Sequence, residues 1–355
     1  MFLRNAWYAV AWDTEVKQAL HATTLLGESI VLYRKADGAV VALEDACPHR
    51  KLPLSMGRLH GDVVECGYHG LTFDGSGTCV KAACVSRIPQ AAKVRSYPVE
   101  ERYGLVWLWM GEADKADPAR LLDIPEWDDP AWGVNRGDSM TIDCNYLYMT
   151  DNLLDPSHVA WVHQSTFGTS ACESEPLQTV VNDDGVVVSR WLYDIDVAPF
   201  YQQYLKFAGR CDRLQYYEVR YPAHAIIKGI HVPAGSGGEG AAAHAQAFVM
   251  DSYNFMTPVD DNRTRYYWFQ LRNFDPADED VSRRFAVDVR RAFEEDRVVL
   301  AAVHAGMKNR QSATIDLAID SGPLRFRRGM ERLIHEEQDA AASSARQTIE
   351  VKAHA

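Results

Sequence analysis

The chain has 355 residues, 47% of them hydrophobic, and a formal net charge of -12. That length suggests about two domains with ample material for buried cores, and the acidic balance argues against a nucleic-acid surface. Neither an apolar run long enough to span a membrane nor a basic-then-apolar leader is visible, so a cytoplasmic protein is expected.

Residues 1–112 read as short strands and turns. The β-rich runs 29–34 and 40–43 flank the turn Ala36-Asp37-Gly38, residues 71–80 read as a hairpin, and 105–109 as a closing strand. Residues 113–129, richer in charge and proline, are expected to link to a second domain over 113–340. There, 145–162 reads as a helix, about 177–273 as strands, 281–308 as a long helix and 323–337 as another, with Pro323 near its first turn. Residues 341–355 are expected to fray. The fold class is α+β: an all-β domain, then an α+β domain. Gly235-Ser236-Gly237-Gly238-Glu239-Gly240 satisfies G-x-G-x-x-G, with Asp260 downstream, but no alternating βαβ series surrounds it. It reads as a mobile loop between strands rather than a dinucleotide site.

Seven scattered cysteines do not make a disulfide framework. Cys79, Cys84, Cys144, Cys172 and Cys211 read as reduced, buried thiols. Cys47-Pro48-His49 and Cys66-Gly67-Tyr68-His69 differ from these, because each thiol has a histidine at ligand spacing, with sixteen residues between the pairs. Two thiolates and two neutral imidazoles from two loops suit a [2Fe–2S] cluster with both cysteines on one iron and both histidines on the other. A carrier of raised potential needs a destination for its electron.

Residues 151–163 hold Asp151, Asp155, His158 and His163. On a continuous helix Asp151, Asp155 and His158 share a face. His163 lies about 140° further round, so both histidines can meet one metal only if the helix ends or bulges between them. Pro156 makes such a break natural. In the long helix, Ala286, Val289, Phe293, Asp296, Leu300 and Val303 form the core-facing stripe, and Asp296 is its one charge, with Glu294 and Glu295 pointing away. A buried carboxylate needs a partner or a metal. Two histidines and one carboxylate on one face of Fe(II) leave positions open for O2 and substrate.

With both groups of residues, the chain resembles the Rieske non-haem iron oxygenases, most of all the oxygenase components of vanillate and dicamba O-demethylase and toluenesulfonate methyl-monooxygenase type. The resemblance includes Asn5-Ala6-Trp7-Tyr8, both Cys-His motifs, Glu101-Arg102-Tyr103-Gly104, residues 151–155 with His158 and His163, and Phe293-Glu294-Glu295-Asp296. It implies a Rieske domain followed by a catalytic domain whose antiparallel sheet is flanked by helices. Cys47 and Cys66 would bind one cluster iron, and His49 and His69 the other. His158, His163 and Asp296 would hold a mononuclear Fe(II). Asp155 would bridge that site to a cluster histidine of a neighbouring subunit in a homotrimer, with Asn152 in support. NAD(P)H would act only through a separate flavin or iron–sulfur reductase. No cysteine follows His49 to pin the loops by a disulfide, which favours the oxygenase or ferredoxin type.

The implied reaction is oxidation of a methoxy or methyl group of an aromatic acid with O2. The alternatives are N-demethylation, ring dihydroxylation, a Rieske electron carrier fused to a ligand-binding domain, and a zinc site on the four Cys and His residues. The substrate pocket is expected between the β-rich stretch and the iron-bearing helices, near the glycine-rich loop, which would serve as a lid. Arg220, Lys228, His231, His244 and Asn254 are candidates to receive an acid group, although residues of these types are mostly solvated.

Overall fold

The computed structural model describes residues 1–83, 85–173 and 175–353, without the side chains of residues 172, 173 and 344–353. Two compact units emerge: Met1–Leu122 with Pro258–Asp260, and Asp123–Thr257 with Asp261–Ala355.

Among the described residues the first unit carries three antiparallel sheets. β1 (Trp7–Trp12), β9 (Val99–Arg102) and β10 (Leu105–Trp109) form one, in the order β1-β10-β9. Here Tyr103 and Gly104, both at positive φ, make the two-residue turn that suits the right-handed twist of a hairpin. A second sheet holds β2 (His21–Leu25), β3 (Glu28–Arg34) and β4 (Val40–Glu44). The third is the meander β5 (Arg58–His60), β6 (Val63–Glu65), β7 (Leu71–Phe73) and β8 (Cys79–Ala82). One core cluster joins Val31, Tyr33, Val41, Leu43, Leu54, Val64, Phe73 and Val94 with the side chains of Cys47 and Cys66. Both Cys-His loops are therefore rooted in the hydrophobic core.

The second unit is built on an eight-stranded antiparallel sheet among the described residues. Its strands are β11 (Gly133–Asn135), β12 (Ser139–Ile142), β13 (Gln178–Val181), β14 (Gly185–Ile195), β15 (Cys211–Arg220), β16 (His224–Pro233), β17 (Phe248–Asp260) and β18 (Arg263–Arg272). The order is β11-β18-β17-β16-β15-β14-β13, with β12 also on β18. The glycine-rich segment joins the antiparallel neighbours β16 and β17, which rules out a dinucleotide fold there. The segment is also less free than expected, because Gly235 and Gly237 N–H both donate to the Asp212 carboxylate at 2.8 Å.

Among the described residues four α-helices complete this unit: α1 (Tyr146–Asn152), α2 (Val159–Val162), α3 (Glu279–Gly306) and α4 (Ser321–Ala353). Asn145 caps α1 by accepting from Leu147 N–H, and Asp278 caps α3 by accepting from Asp280 and Val281 N–H. The helix expected across 145–162 is broken. Asp155 precedes Pro156, a position that disfavours helical backbone, and α1 ends before it. The helix expected at 323–337 continues to Ala353, through the stretch expected to fray. Ala340, Ala341 and Ala342 are the strongest helix formers and no proline follows them. Cys79, Cys144 and Cys211 are free and buried as expected; Cys84 and the side chain of Cys172 lie outside the described residues.

Candidate metal centres and the pocket beside them

The two Cys-His loops share one backbone design. Cys47 N–H donates to Leu52 O and Lys51 N–H to Cys47 O; equally, Cys66 N–H donates to Leu71 O and Gly70 N–H to Cys66 O. Each loop thus closes on its cysteine carbonyl four residues on, and the closing residue has positive φ: 58° at Lys51 and 68° at Gly70. This curl turns both thiols inward, where they are 2% exposed, and brings the His49 and His69 rings to 4.5 Å between centroids. Burial, reinforced by Cys66, pushes the Cys47 thiol up. Two sulfurs in an apolar core beside two imidazoles fit a metal that takes them as thiolates.

The second group assembles from both ends of α2 and from α3. His158 precedes this single helical turn and His163 follows it, so the break at Pro156 brings the two rings to 5.2 Å. Gly168 seals the turn: its N–H donates to His163 O, and a Cβ there would lie 2.4 Å from Val159 O. Asp296 Oδ1 lies 3.2 Å from His163 Nε2 and 3.7 Å from His158 Nε2. Cis ligands ~2.1 Å from one ion stand ~3 Å apart, so the three residues could hold a metal with little adjustment. One ligand atom from each lies within 4.8 Å of the others, a grouping not repeated among the described residues.

Neighbouring groups aim these three side chains. His163 Nδ1 lies 2.8 Å from Glu295 Oε2, and His158 Nδ1 faces the Asp155 carbonyl. Both partners only accept, so with each Nδ1 carrying the proton each Nε2 keeps its lone pair for a metal placed between it and Asp296, as a metal-binding histidine requires. Asn152 Nδ2 donates to Asp296 Oδ1 at 3.0 Å, leaving Oδ2 outside that bond. Burial would raise the Asp296 carboxyl, but His163, His158 and Asn152 outweigh it and hold it below its usual value. Burial lowers His158, whereas Asp296 and Glu295 overcome burial at His163 and raise it.

Two expectations need correction. Glu295 does not point away: its carboxylate accepts from His163, Ser165 and Thr166, which the turn after α2 brings to the flank of α3. Asp151 does not share a face with His158, because α1 stops first, and its carboxylate takes Nε and Nη2 of Arg327 from α4. On the apolar stripe, Val303 is 42% exposed and Phe285 is buried in its place as the stripe reaches toward the helix start.

A cavity of about 60 Å3 adjoins His158, His163 and Asp296, between them and the sheet. Phe167, Tyr201, Tyr217, Ile227, Met250, Val289 and Phe293 make it mostly apolar, with Arg213, Ser252, Asn254 and Gln270 as polar points. A benzene-binding cavity measures ~150 Å3, so an aromatic ring enters only if this wall yields. No residue of 235–240 belongs to the lining. Of the five acid-group candidates, only Asn254 lines it; Arg220 pairs with Glu218 and Lys228 with Asp251. His231 and Asn254 are fully buried rather than solvated. Arg213 went unrecognised, although it shares strand parity with Cys211 and Val219 and so had to face the core.

Comparison with known proteins agrees with this geometry. Residues 6–98 match the Rieske [2Fe-2S] domain, and residues 142–336 match the vanillate O-demethylase oxygenase C-terminal domain. The iron–sulfur subunit of a toluene-4-sulfonate monooxygenase system from Comamonas testosteroni is 37% identical over 96% of this chain and 100% of its own length. A vanillate O-demethylase oxygenase subunit from Pseudomonas sp. is 35% identical over 96% and 97%. The crystal structure of dicamba monooxygenase bound to 3,6-dichlorosalicylic acid superposes with a TM-score of 0.87 at 30% identity, covering 96% of this chain and 99% of that one. The chain belongs to the Rieske non-haem iron oxygenases, in the branch with the vanillate O-demethylase type of catalytic domain. It is an oxygenase component with a [2Fe–2S] cluster and a mononuclear iron, which sets aside the zinc and pure electron-carrier readings.

Proposed function

We propose that this oxygenase oxidises the methyl or methoxy group of an aromatic acid. The observation that carries the reading is the mostly apolar, aromatic-lined cavity that ends on His158, His163 and Asp296. When bound, the iron groups supply single electrons and O2 activation. Cys47, Cys66, His49 and His69 hold the cluster, and His158, His163 and Asp296 hold the mononuclear iron. Phe167, Phe293 and Val289 exclude water and press the substrate ring into place. One oxygen atom enters a C–H bond; the other leaves as water with two electrons and two protons. Oxidation of a methoxy carbon gives a hemiacetal that collapses to a phenol and formaldehyde, whereas an aryl methyl gives a benzylic alcohol.

A separate NAD(P)H-dependent flavin or iron–sulfur reductase supplies the electrons in the cytoplasm, in line with the multi-component systems named for the relatives. In a homotrimer, Asp155 joins His69 of a neighbouring copy to His158. Its backbone carbonyl already faces His158 Nδ1, while among the described residues its carboxylate accepts only a local Ser157 N–H at 2.8 Å. The test is substrate-dependent O2 uptake across a panel of aromatic acids with a surrogate reductase, with formaldehyde measured alongside. Formaldehyde equal to O2 consumed marks O-demethylation, and an alcohol without it marks methyl hydroxylation. Turnover of neutral aromatics alone sinks the reading.

A further inference from the structure

A buried cation at the substrate pocket has no part in holding iron. Arg213 on β15 is 3% exposed and lines the cavity. Its Nη1 donates to Phe167 O at 2.8 Å, its Nη2 to the Tyr201 hydroxyl at 3.3 Å, and its guanidinium stands 4.9 Å over the Tyr201 ring. These contacts fix the direction of the guanidinium at the pocket wall, so an anion entering the cavity would meet donors that are already oriented.

A second observation lies beside it. His231 on β16 is directly opposite Arg213 in the strand register. Its side chain is fully buried, packs on Tyr201 with centroids 3.9 Å apart and the rings tilted by 39°, and neither ring nitrogen has a hydrogen-bond partner among the described residues. Buried polar atoms are almost always satisfied, so two unpartnered ring nitrogens directly behind Arg213 mark this corner as the polar end of the cavity, with His231 behind the lining rather than in it. Phe167 links this corner to the metal ligands: its ring lies 5.8 Å from that of His163, while its carbonyl holds Arg213.

We propose that Arg213, set by Tyr201 and backed by His231, is the anchor for the carboxylate or sulfonate of the substrate. The aromatic ring then lies across Phe167, with its reacting carbon toward His158, His163 and Asp296. This rests on the aromatic-acid reading and adds a selectivity: acids should outcompete their neutral amides.

The test measures equilibrium binding to the anaerobic, iron-loaded protein by calorimetry. The probes are 4-methoxybenzoate, vanillate and toluene-4-sulfonate, with neutral 4-methoxybenzamide as control. Arg213→Met should weaken the acids by about 10- to 100-fold, the loss of charge-assisted hydrogen bonds, and leave the amide within about twofold. Arg213→Lys keeps the charge without the planar fork, should weaken acids less, and serves if the Met variant does not fold. His231→Phe should weaken acids more than the amide. Equal effects on acid and amide, or none on either, overturn the anchor while the aromatic-acid reading stands. Failure of every acid to bind the unaltered protein overturns that reading instead.

Discussion

The two metal centres are built to opposite plans. In the first unit both thiols are rooted in the core, while His49 is exposed and His69 half-buried. In the second, His163 and Asp296 are buried and His158 nearly so, and each of these side chains is gripped from behind by Glu295, the Asp155 carbonyl or Asn152. A centre that trades electrons with another protein has to offer an edge, and its imidazole edge is the one left uncovered. A centre that oxidises a C–H bond has to exclude water and keep its open positions aimed at the substrate, so it needs a closed wall and a set of supporting hydrogen bonds.

The sharpest break of this contrast is to remove one ligand from each side. Cys66→Ser should abolish the brown cluster and all turnover. His158→Ala should also abolish turnover, yet keep the cluster's absorbance while iron falls from about three to about two per chain. Loss of colour in His158→Ala would show that the two centres are not independent. Asp155→Asn tests what joins them. Iron content and cluster absorbance should stay unchanged while turnover falls roughly 100-fold, read in single turnover as slowed reoxidation of the reduced cluster.

The same contrast explains what was legible in the chain. The two Cys-His loops were plain because each pair is local: Cys47 with His49, and Cys66 with His69, inside turns that close on themselves. Asp296 was legible because a charge on an apolar helical stripe has to be accounted for, and Pro156 announced the break that lets His158 and His163 converge. The support was hidden. Glu295 looked solvent-facing from the helix alone, since its partners His163, Ser165 and Thr166 are about 130 residues away in sequence and reach it only by tertiary packing. Asp151 looked like part of the metal face because a continuous helix was assumed.

Glu295 sharpens the second plan. If its grip on His163 matters as supporting carboxylates usually do, Glu295→Gln should weaken mononuclear iron about 10- to 100-fold and leave the cluster untouched. Chelator competition, with iron read separately from cluster absorbance, measures this. Iron retention equal to the unaltered protein would mean that packing alone orients His163.

Asp151 marks where the second centre's support stops. Its carboxylate is bound by Arg327 through two nitrogens, with about a third of each side chain exposed, 28% for Asp151 and 32% for Arg327. Burial raises the Asp151 carboxyl even with Arg327 alongside, so the ion pair contributes less than its geometry suggests. The larger cost of Asp151→Ala falls on Arg327, left half-buried beside the Tyr148 ring. We expect a loss of about 1–3 kcal/mol in stability with iron content unchanged. A double-mutant cycle with Arg327→Met isolates the pair: the double variant should recover part of the loss, because the stranded charge is gone. Iron lost in step with stability would place Asp151 within the metal centre after all, and the sharp boundary between ligand support and helix packing would have to be redrawn.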